Sequence, residues 1–193
     1  MALFTENELR ERYRRESLRR PSMGSSREIL NEGRDQVPND KIKIFLSHSS
    51  QDMEVIAGLK LTLEDIGYYV YVDWNDPALD PNNVTPRTAE ILRERMKACD
   101  CLLYAFSENA KNSRWMPWEL GYFDGLRNSR VAVLPISTSN NSNVSGDEFV
   151  GLYYFIQIHN TIGTNEKDLW VYNGTDNVYF KSWIKGKGPS SLH

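Results

Sequence analysis

The sequence predicts an α/β protein built on a parallel sheet of about five strands with helices on both faces. Segments of β-branched and aromatic residues alternate along the chain with segments of helical periodicity, in the rhythm of successive βαβ units. Two of the strand segments, residues 101–106 and 131–136, are apolar on both faces instead of alternating between apolar and polar. Strands of that kind are typical of a parallel sheet covered by helices on each side.

Length, composition and charge exclude several classes of protein. The chain has 193 residues, 40% of them hydrophobic, which is enough to bury a core. Its 23 basic and 26 acidic side chains give a net charge of -3, so bulk nucleic-acid binding is not expected, although a local phosphate site remains open. No apolar window approaches the length of a transmembrane helix, so we expect no membrane association and a cytoplasmic location. Cys99 and Cys101 are expected to be reduced thiols.

The first 40 residues differ in composition from the rest and are predicted to form a helical extension and a linker. Thr5 with Glu8 three residues later resembles a capping box, which predicts a short helix over residues 6–19. Pro, Gly and Ser residues follow, and the Glu residues of the segment offset its Arg residues. The predicted division is an extension over 1–40, one domain over 41–184 and a flexible tail over 185–193.

The first half of the domain is predicted to contain two strands and two helices. The first strand covers residues 42–47 and ends in a polar loop, where Ser49 and Asp52 can cap the following helix. A second strand is predicted over residues 68–74, and a loop rich in Pro, Asn and Asp follows it. The Thr-Pro pair at residues 85 and 86 then begins the second helix of the domain.

The second half adds three strands, a hairpin and a closing helix. The third strand is predicted over residues 101–106, the fourth over 131–136 and the fifth over 151–158. A hairpin or turn is expected at residues 169–174, which end in Asn-Gly, and a short helix over residues 178–184 closes the domain.

One carboxylate stands among aromatic rings between the third and fourth strands. Trp115, Glu119 and Tyr122 have the i, i+4, i+7 spacing of one helical face, with Trp118 beside them. Glu119 is either a rim residue of an amphipathic helix or a carboxylate of perturbed acidity in a working site. Ligands of parallel sheets bind beyond the carboxyl ends of the strands, so this helix start and the loops after the first three strands are expected to share one crevice.

No motif for a metal or a bound cofactor is present. The sequence lacks Cys-x-x-Cys, His-x-x-x-His and Gly-x-x-x-x-Gly-Lys, so zinc, haem and P-loop nucleotide binding have no support. We therefore expect neither a metal nor a cofactor. Each histidine is isolated, and His48, after the first strand, is either a hydrogen-bonding loop residue or part of a ligand site.

Three motifs, in order, resemble those of Toll/interleukin-1 receptor (TIR) domains. Lys-Ile-Phe-Leu-Ser-His at residues 43–48 resembles the first-strand box, and Ser107 stands where the family has a serine after the third strand. Residues 113–120 are similar to the family's Ser-x-Trp-x-x-x-Glu-Leu segment. The resemblance is strongest over residues 41–137 and implies a flavodoxin-like fold. The family divides into scaffolds that signal by assembly and enzymes that cleave NAD+.

The resemblance implies that Glu119 is catalytic, because the Glu of this segment is the catalytic residue in the enzymes of the family. The chemistry is consistent with one carboxylate. Cleavage of the nicotinamide–ribose bond expels a neutral molecule from a cationic ring, so no general acid has to protonate the leaving group. Glu119 would hold the ribose hydroxyls and stabilise the positive charge that develops on the sugar.

Further residues are assigned to the substrate site by the same resemblance and by position. Aromatic side chains are expected to form a dry wall against nicotinamide or ribose, and a basic side chain to meet the pyrophosphate. Trp74, in the loop after the second strand, either reaches the site of a neighbouring subunit or caps the sheet edge. The predicted substrate-binding residues are Phe45, Ser47, His48, Trp74, Arg114, Trp115 and Trp118.

One loop departs from the receptor-type members of the family. Asp-Pro-Ala-Leu-Asp-Pro at residues 76–81 replaces their Arg-Asp-x-x-Pro-Gly, which argues against animal adaptor-type signalling. With its N-terminal extension and aromatic C-terminal region, the chain resembles bacterial anti-phage TIR proteins such as the TIR subunit of Thoeris systems, whose cyclic ADP-ribose signal is read by a separate effector. We expect NAD+ as substrate, ADP-ribose or a cyclic product, and self-association through TIR surfaces. The alternative is a non-catalytic scaffold that acts by homotypic assembly.

Overall fold

The computed structural model describes residues 4–21, 24–32, 38–73, 85–126, 130–138, 150–161 and 166–190. The strands in this part of the chain are β1 Phe4–Thr5, β2 Lys43–Ser47, β3 Tyr69–Tyr71, β4 Cys101–Phe106, β5 Val131–Ser137, β6 Tyr154–Asn160, β7 Lys167–Asn173 and β8 Asp176–Tyr179. The helices are α1 Glu6–Arg19, α2 Ser26–Asn31, α3 Met53–Asp65, α4 Pro86–Lys97, α5 Trp115–Asp124 and α6 Phe180–Ile184. None of these helices is long and apolar enough to cross a membrane.

The centre of the molecule is a five-stranded parallel sheet in the order β3-β2-β4-β5-β6. This is the strand order of flavodoxin-like folds, so the predicted fold class is confirmed. The antiparallel strands β7 and β8 extend the sheet beyond β6 and form the hairpin predicted around Asn173-Gly174. Gly174 has a positive φ of 61°, a backbone conformation that glycine adopts without steric cost.

Two apolar cores lie on opposite faces of the sheet, because side chains alternate along each strand. In β2, Ile44 and Leu46 belong to the core under α1, α2, α3 and α6. Phe45 belongs to the core under α4 and α5. Ser47 follows in the same alternation and therefore points to the α5 side, at the carboxyl end of the strand.

The N-terminal residues are integrated into the sheet and its helical layer. Strand β1 pairs in parallel with the carboxyl end of β5, with Phe4 opposite Ile136. Helix α1 has the bounds predicted from the sequence and packs along α3. An ion pair joins Arg12 of α1 to Asp65 of α3 at 2.9 Å.

A buried carboxylate ties the C-terminal hairpin to the start of β3. Asp168 accepts hydrogen bonds from the hydroxyl groups of Tyr68 and Tyr179, and from Lys181 Nζ at 2.9 Å. Burial acts to raise the pKa of Asp168, but these donors outweigh it and lower that pKa. Sequence periodicity did not predict this cluster, because its two tyrosines are far apart in the sequence.

Three predicted boundaries are wrong, two of them because another local structure takes the residues. The second strand covers only Tyr69–Tyr71, so Val72 and Asp73 are not part of it, and the predicted end at residue 74 lies outside the described residues. The fifth strand starts at Tyr154, since Val150–Leu152 form a 3-10 turn in front of it. The closing helix starts at Phe180, because the residues before it pair with β7 as β8.

The close contact between α1 and α3 generates a stability prediction. A Cβ atom at Gly58 would lie 1.9 Å from the Leu9 carbonyl oxygen, so alanine there forces the two helices apart. We expect Gly58→Ala to lower the free energy of unfolding by about 1–3 kcal/mol, the usual cost of overpacking. Gly121→Ala is the control, because a Cβ there meets nothing within 4 Å. Denaturant unfolding measures both, and equal stability of the two variants would contradict this packing.

Candidate active site

Glu119 is a buried carboxylate on the core-facing side of α5. The buried residues of this helix recur at i, i+3, i+4 and i+7 and are Met116, Glu119, Leu120 and Phe123. Only 2% of Glu119 is exposed. The helix therefore presents an ionisable side chain to an otherwise apolar interface, where an ionised carboxylate is costly unless it is hydrogen-bonded or paired with charge.

One oxygen of this carboxylate is fixed by the last residue of β2. The Ser47 hydroxyl group donates a hydrogen bond to Glu119 Oε2 at 2.6 Å, and Ser47 is fully buried. The other oxygen, Oε1, is buried and has no hydrogen-bond partner within the described residues. Ser47 thus sets the orientation of the carboxylate and leaves Oε1 as an acceptor for a further donor.

The surroundings of Glu119 favour its neutral form. Burial raises the pKa of its carboxyl group well above the ordinary value, and the negative charge of Asp73 raises it further. The hydrogen bond from Ser47 acts in the opposite direction and is too weak to compensate. Asp73 follows β3, the neighbour of β2 in the sheet, so both carboxylates lie at the carboxyl edge.

His48 and Asp73 form a second contact at the same edge. His48 Nδ1 lies 3.1 Å from the Leu46 carbonyl oxygen and 3.5 Å from Asp73 Oδ1. The imidazole side chain is 2% exposed, whereas the Asp73 side chain is 25% exposed. His48 is thereby anchored between its own strand and the end of β3.

A hydrogen-bonded brace joins the loops after β2 and β4. Asp52 accepts hydrogen bonds from Ser107 Oγ at 2.5 Å and from Asn109 Nδ2 at 2.6 Å. Asp52 occupies the N-cap position of α3, but its side chain makes no cap hydrogen bond, so the predicted capping role is wrong. The carboxylate bonds to the loop after β4 because Ser107, at the end of the neighbouring strand, is within reach. The brace holds the two loops that border Ser47.

The aromatic residues of α5 form a row beside Glu119. Trp115 and Trp118 meet edge to face at 5.4 Å, and Trp118 stacks on Tyr122 at 5.7 Å. The Arg93 guanidinium lies 5.4 Å from the Trp118 ring centre. These rings are partly buried and pack against the core under α4 and α5.

The other predicted site residues lie in different environments. Phe45 is fully buried, 5.4 Å from the Tyr71 ring, and forms part of the core under α4 and α5. Arg114 is exposed at the start of α5. Trp74, predicted to contact substrate, lies outside the described residues.

The structure thus brings Ser47, His48 and Glu119 to one edge of the sheet, together with two residues that sequence reasoning did not assign. Asp73 and Asp52 both follow the carboxyl end of a strand, which is the signal that could have identified them. Among the described residues, no cluster of three or more His, Cys, Asp or Glu side chains could hold a metal ion. The site offers one carboxylate, an imidazole, a second carboxylate and aromatic rings.

The fold and these motifs define the class of protein. The chain matches the TIR domain family over residues 44–169, from β2 into β7, and belongs to that family.

Two bacterial relatives are both named as cyclic ADP-D-ribose synthases. The chain is 40% identical over 192 residues to the probable 3' cyclic ADP-D-ribose synthase ThsB' of Bacillus cereus (strain MSX-D12), covering 96% of this chain and 99% of the relative. It is 27% identical over 89 residues to the putative cyclic ADP-D-ribose synthase TIR2 of Cytobacillus dafuensis, covering 45% of this chain and 24% of the relative. The match to the first relative therefore extends over nearly the whole of both chains.

The raised pKa of Glu119 predicts a pH-dependent stability. The folded protein keeps a proton that the unfolded chain releases above the ordinary Glu pKa of about 4.3. Wild-type stability therefore falls as the pH rises from that value towards the higher folded pKa, by at most about tenfold in the unfolding constant per pH unit. Glutamine does not titrate, so Glu119→Gln is expected to be more stable than the wild type at neutral pH.

Denaturant unfolding of both proteins, repeated between about pH 4 and pH 8, measures the difference in their stability. The advantage of Glu119→Gln is expected to shrink to zero at the acidic end. A difference in stability that stays constant across the range would contradict the buried, protonated carboxyl group.

Proposed function

We propose that the protein is an NAD+-cleaving enzyme that makes a cyclic ADP-ribose signal in anti-phage defence, with Glu119 as its catalytic carboxylate. The observation that carries the proposal is the state of that side chain. It is buried at the carboxyl edge of the sheet, one oxygen is held by Ser47, and the other has no partner in the described part of the chain. The names of both relatives, cyclic ADP-D-ribose synthases, support the same reaction.

The arrangement suits a reaction in which positive charge moves from one ring to another. NAD+ carries its charge on the nicotinamide ring, and bond cleavage transfers that charge to the ribose as nicotinamide leaves neutral. A buried carboxylate attracts such a charge more strongly than an exposed one, because little water screens it. Oε1 of Glu119 is the oxygen that would accept a hydrogen bond from a ribose hydroxyl group.

Binding of the cationic substrate also resolves the electrostatic problem of the site. Burial raises the pKa of Glu119, and the negative charge of Asp73 nearby raises it further, so the ionised carboxylate is costly in the free site. A positive ring beside Glu119 lowers that pKa and favours the carboxylate that the reaction needs. The free site is expected to hold a proton that it loses when NAD+ binds.

The remaining assignments are parts of the same proposal. Trp115 and Trp118 would exclude water beside nicotinamide or ribose, and Arg114, exposed at the start of α5, would meet the pyrophosphate. Attack by water gives ADP-ribose, whereas attack by a group of the same molecule gives a cyclic product. The name of the ThsB' relative supports a cyclic product. NAD+ is then the substrate, no further cofactor is needed, and a separate effector reads the product in the cytoplasm.

The first test compares Glu119→Gln with the wild type. The substitution is nearly isosteric and removes only the negative charge, so we expect the fold to persist and nicotinamide release from NAD+ to fall by at least about 100-fold. Chromatography of the products measures nicotinamide release. The assay is repeated over a range of protein concentrations, so that activity that requires self-association is also detected. Glu108→Gln is the matched control, because that carboxylate is exposed near the same edge and is expected to leave activity unchanged.

Two results would overturn the proposal. Equal turnover by Glu119→Gln and the wild type would remove the catalytic role of this residue. A wild-type protein that binds NAD+ and releases no nicotinamide at any concentration would favour the non-catalytic assembly module.

A further inference from the structure

Two connections join the same two segments of the chain at the carboxyl edge of the sheet. One is the hydrogen bond from Ser47 to Glu119 at 2.6 Å. The other is the brace in which Asp52 accepts hydrogen bonds from Ser107 and Asn109. Asp52 follows Ser47 in the loop after β2, and Ser107 stands between β4 and the helix that carries Glu119. The segment that supplies the donor to Glu119 is therefore tied a second time to the segment that leads into Glu119.

The Asp52 end of the brace is fixed by its own backbone. Its N–H group donates to the Ser49 carbonyl oxygen at 3.1 Å, and its carbonyl oxygen accepts from the Ile56 N–H group at 2.8 Å in the first turn of α3. Both Asp52 and Ser49 are buried. The Asp52 carboxylate is thus held in place next to the end of β2, independently of the loop that it contacts.

Both carboxylate oxygens of Asp52 hold the 3-10 turn Glu108–Asn112, which follows β4. Ser107 Oγ donates to Asp52 Oδ2 at 2.5 Å and accepts from the Ala110 N–H group at 3.2 Å. One hydroxyl group therefore caps the turn and joins it to Asp52. Asn109 Nδ2, within the turn, donates to Asp52 Oδ1 at 2.6 Å. The position of the turn is set by these two contacts to one carboxylate.

The 3-10 turn leads directly into α5. The Ser113 N–H group donates to the Ala110 carbonyl oxygen at 3.1 Å, and Ser113 Oγ accepts from the Met116 N–H group at 3.3 Å. Among the described residues, the side chain of Arg114 at the N-cap position makes no cap hydrogen bond. A shift of the turn is therefore passed to the start of α5, and with it to Glu119 in the second turn of that helix.

We propose that Asp52 is a positioning residue for Glu119, because it fixes the 3-10 turn before α5 and so sets where the Glu119 carboxylate stands relative to Ser47 and to the substrate. This inference rests on the proposed function. Asp52 has no contact with the reacting atoms in this role, so we expect it to affect the rate of bond cleavage more than the binding of NAD+. A reacting group misplaced by about 1 Å can cost about 100-fold in rate.

Exchange of donor and acceptor between Asp52 and Asn109 tests this role. Asn109→Asp alone replaces the donor by a second carboxylate, which repels the first. When Asp52→Asn is added, the amide at position 52 donates to the carboxylate at position 109, and its oxygen still accepts from Ser107 Oγ. The double variant also has the net charge of the wild type. Nicotinamide release from NAD+ by the full chain gives kcat and KM, and denaturant unfolding gives the stability of each variant.

We expect Asn109→Asp to lower kcat by about tenfold to 100-fold with little change in KM, and the double variant to recover kcat to within about threefold of the wild type. Gly58→Ala is the control for lost stability, because it disturbs the contact between α1 and α3 and is expected to keep the wild-type kcat where it is folded. In a Glu119→Gln background, Asn109→Asp is expected to lower kcat no further, since no catalytic carboxylate is left to misplace.

The outcomes distinguish this inference from the proposed function. Asn109→Asp with an unchanged kcat, or with a change in KM alone, would overturn the inference, and so would a loss that the folded double variant does not restore. If Asn109→Asp does not fold, Ser107→Ala takes its place, because it removes one hydrogen bond of the brace without adding a charge, and a wild-type kcat in that variant would overturn the inference. Full turnover by Glu119→Gln would instead overturn the proposed function.

Discussion

The hydrogen bond between Ser47 and Glu119 is the contact on which the site depends. The two residues are 72 positions apart, and their side chains meet at 2.6 Å only because β2 lies between β3 and β4 in the sheet and α5 packs against it. A carboxylate in this position has little access to water, so a single donor decides which oxygen is occupied. The hydrogen bond between Asp52 and Ser107 joins the loops that follow β2 and β4 and so fixes the backbone next to Ser47. The parallel sheet therefore acts as the template that assembles the site.

The same burial creates a charge requirement that links structure to substrate choice. Burial and the negative charge of Asp73 both make ionisation of Glu119 costly, so its pKa is raised. A ligand with a positive ring removes that cost, whereas a neutral ring of the same shape does not. Under the proposed function, the site is therefore expected to bind the oxidised nicotinamide dinucleotide in preference to the reduced form.

Sequence pattern predicted the parts of the structure that depend on local periodicity. The five-stranded parallel sheet, helix α1 and the position of Glu119 after the third strand of the domain all follow from spacing or from the family motifs. Contacts between distant residues could not be predicted in this way. Asp52 looked like a helix cap because a cap is a local pattern, and its bonds to Ser107 and Asn109 exist only once the sheet is formed. Asp73 and the pairing of β1 with β5 escaped for the same reason.

The most direct test of this account measures the pKa of Glu119 by NMR of a protein labelled with ¹³C at glutamate carboxyl groups. The ligand is an NAD+ analogue in which a methylene group replaces the ring oxygen of the nicotinamide ribose, so that it cannot be cleaved through an oxocarbenium ion. Its reduced form, which carries no ring charge, is the control. The account predicts that the oxidised analogue lowers the pKa of Glu119 and that the reduced analogue does not. A pKa that is unchanged or raised by the oxidised analogue would contradict it.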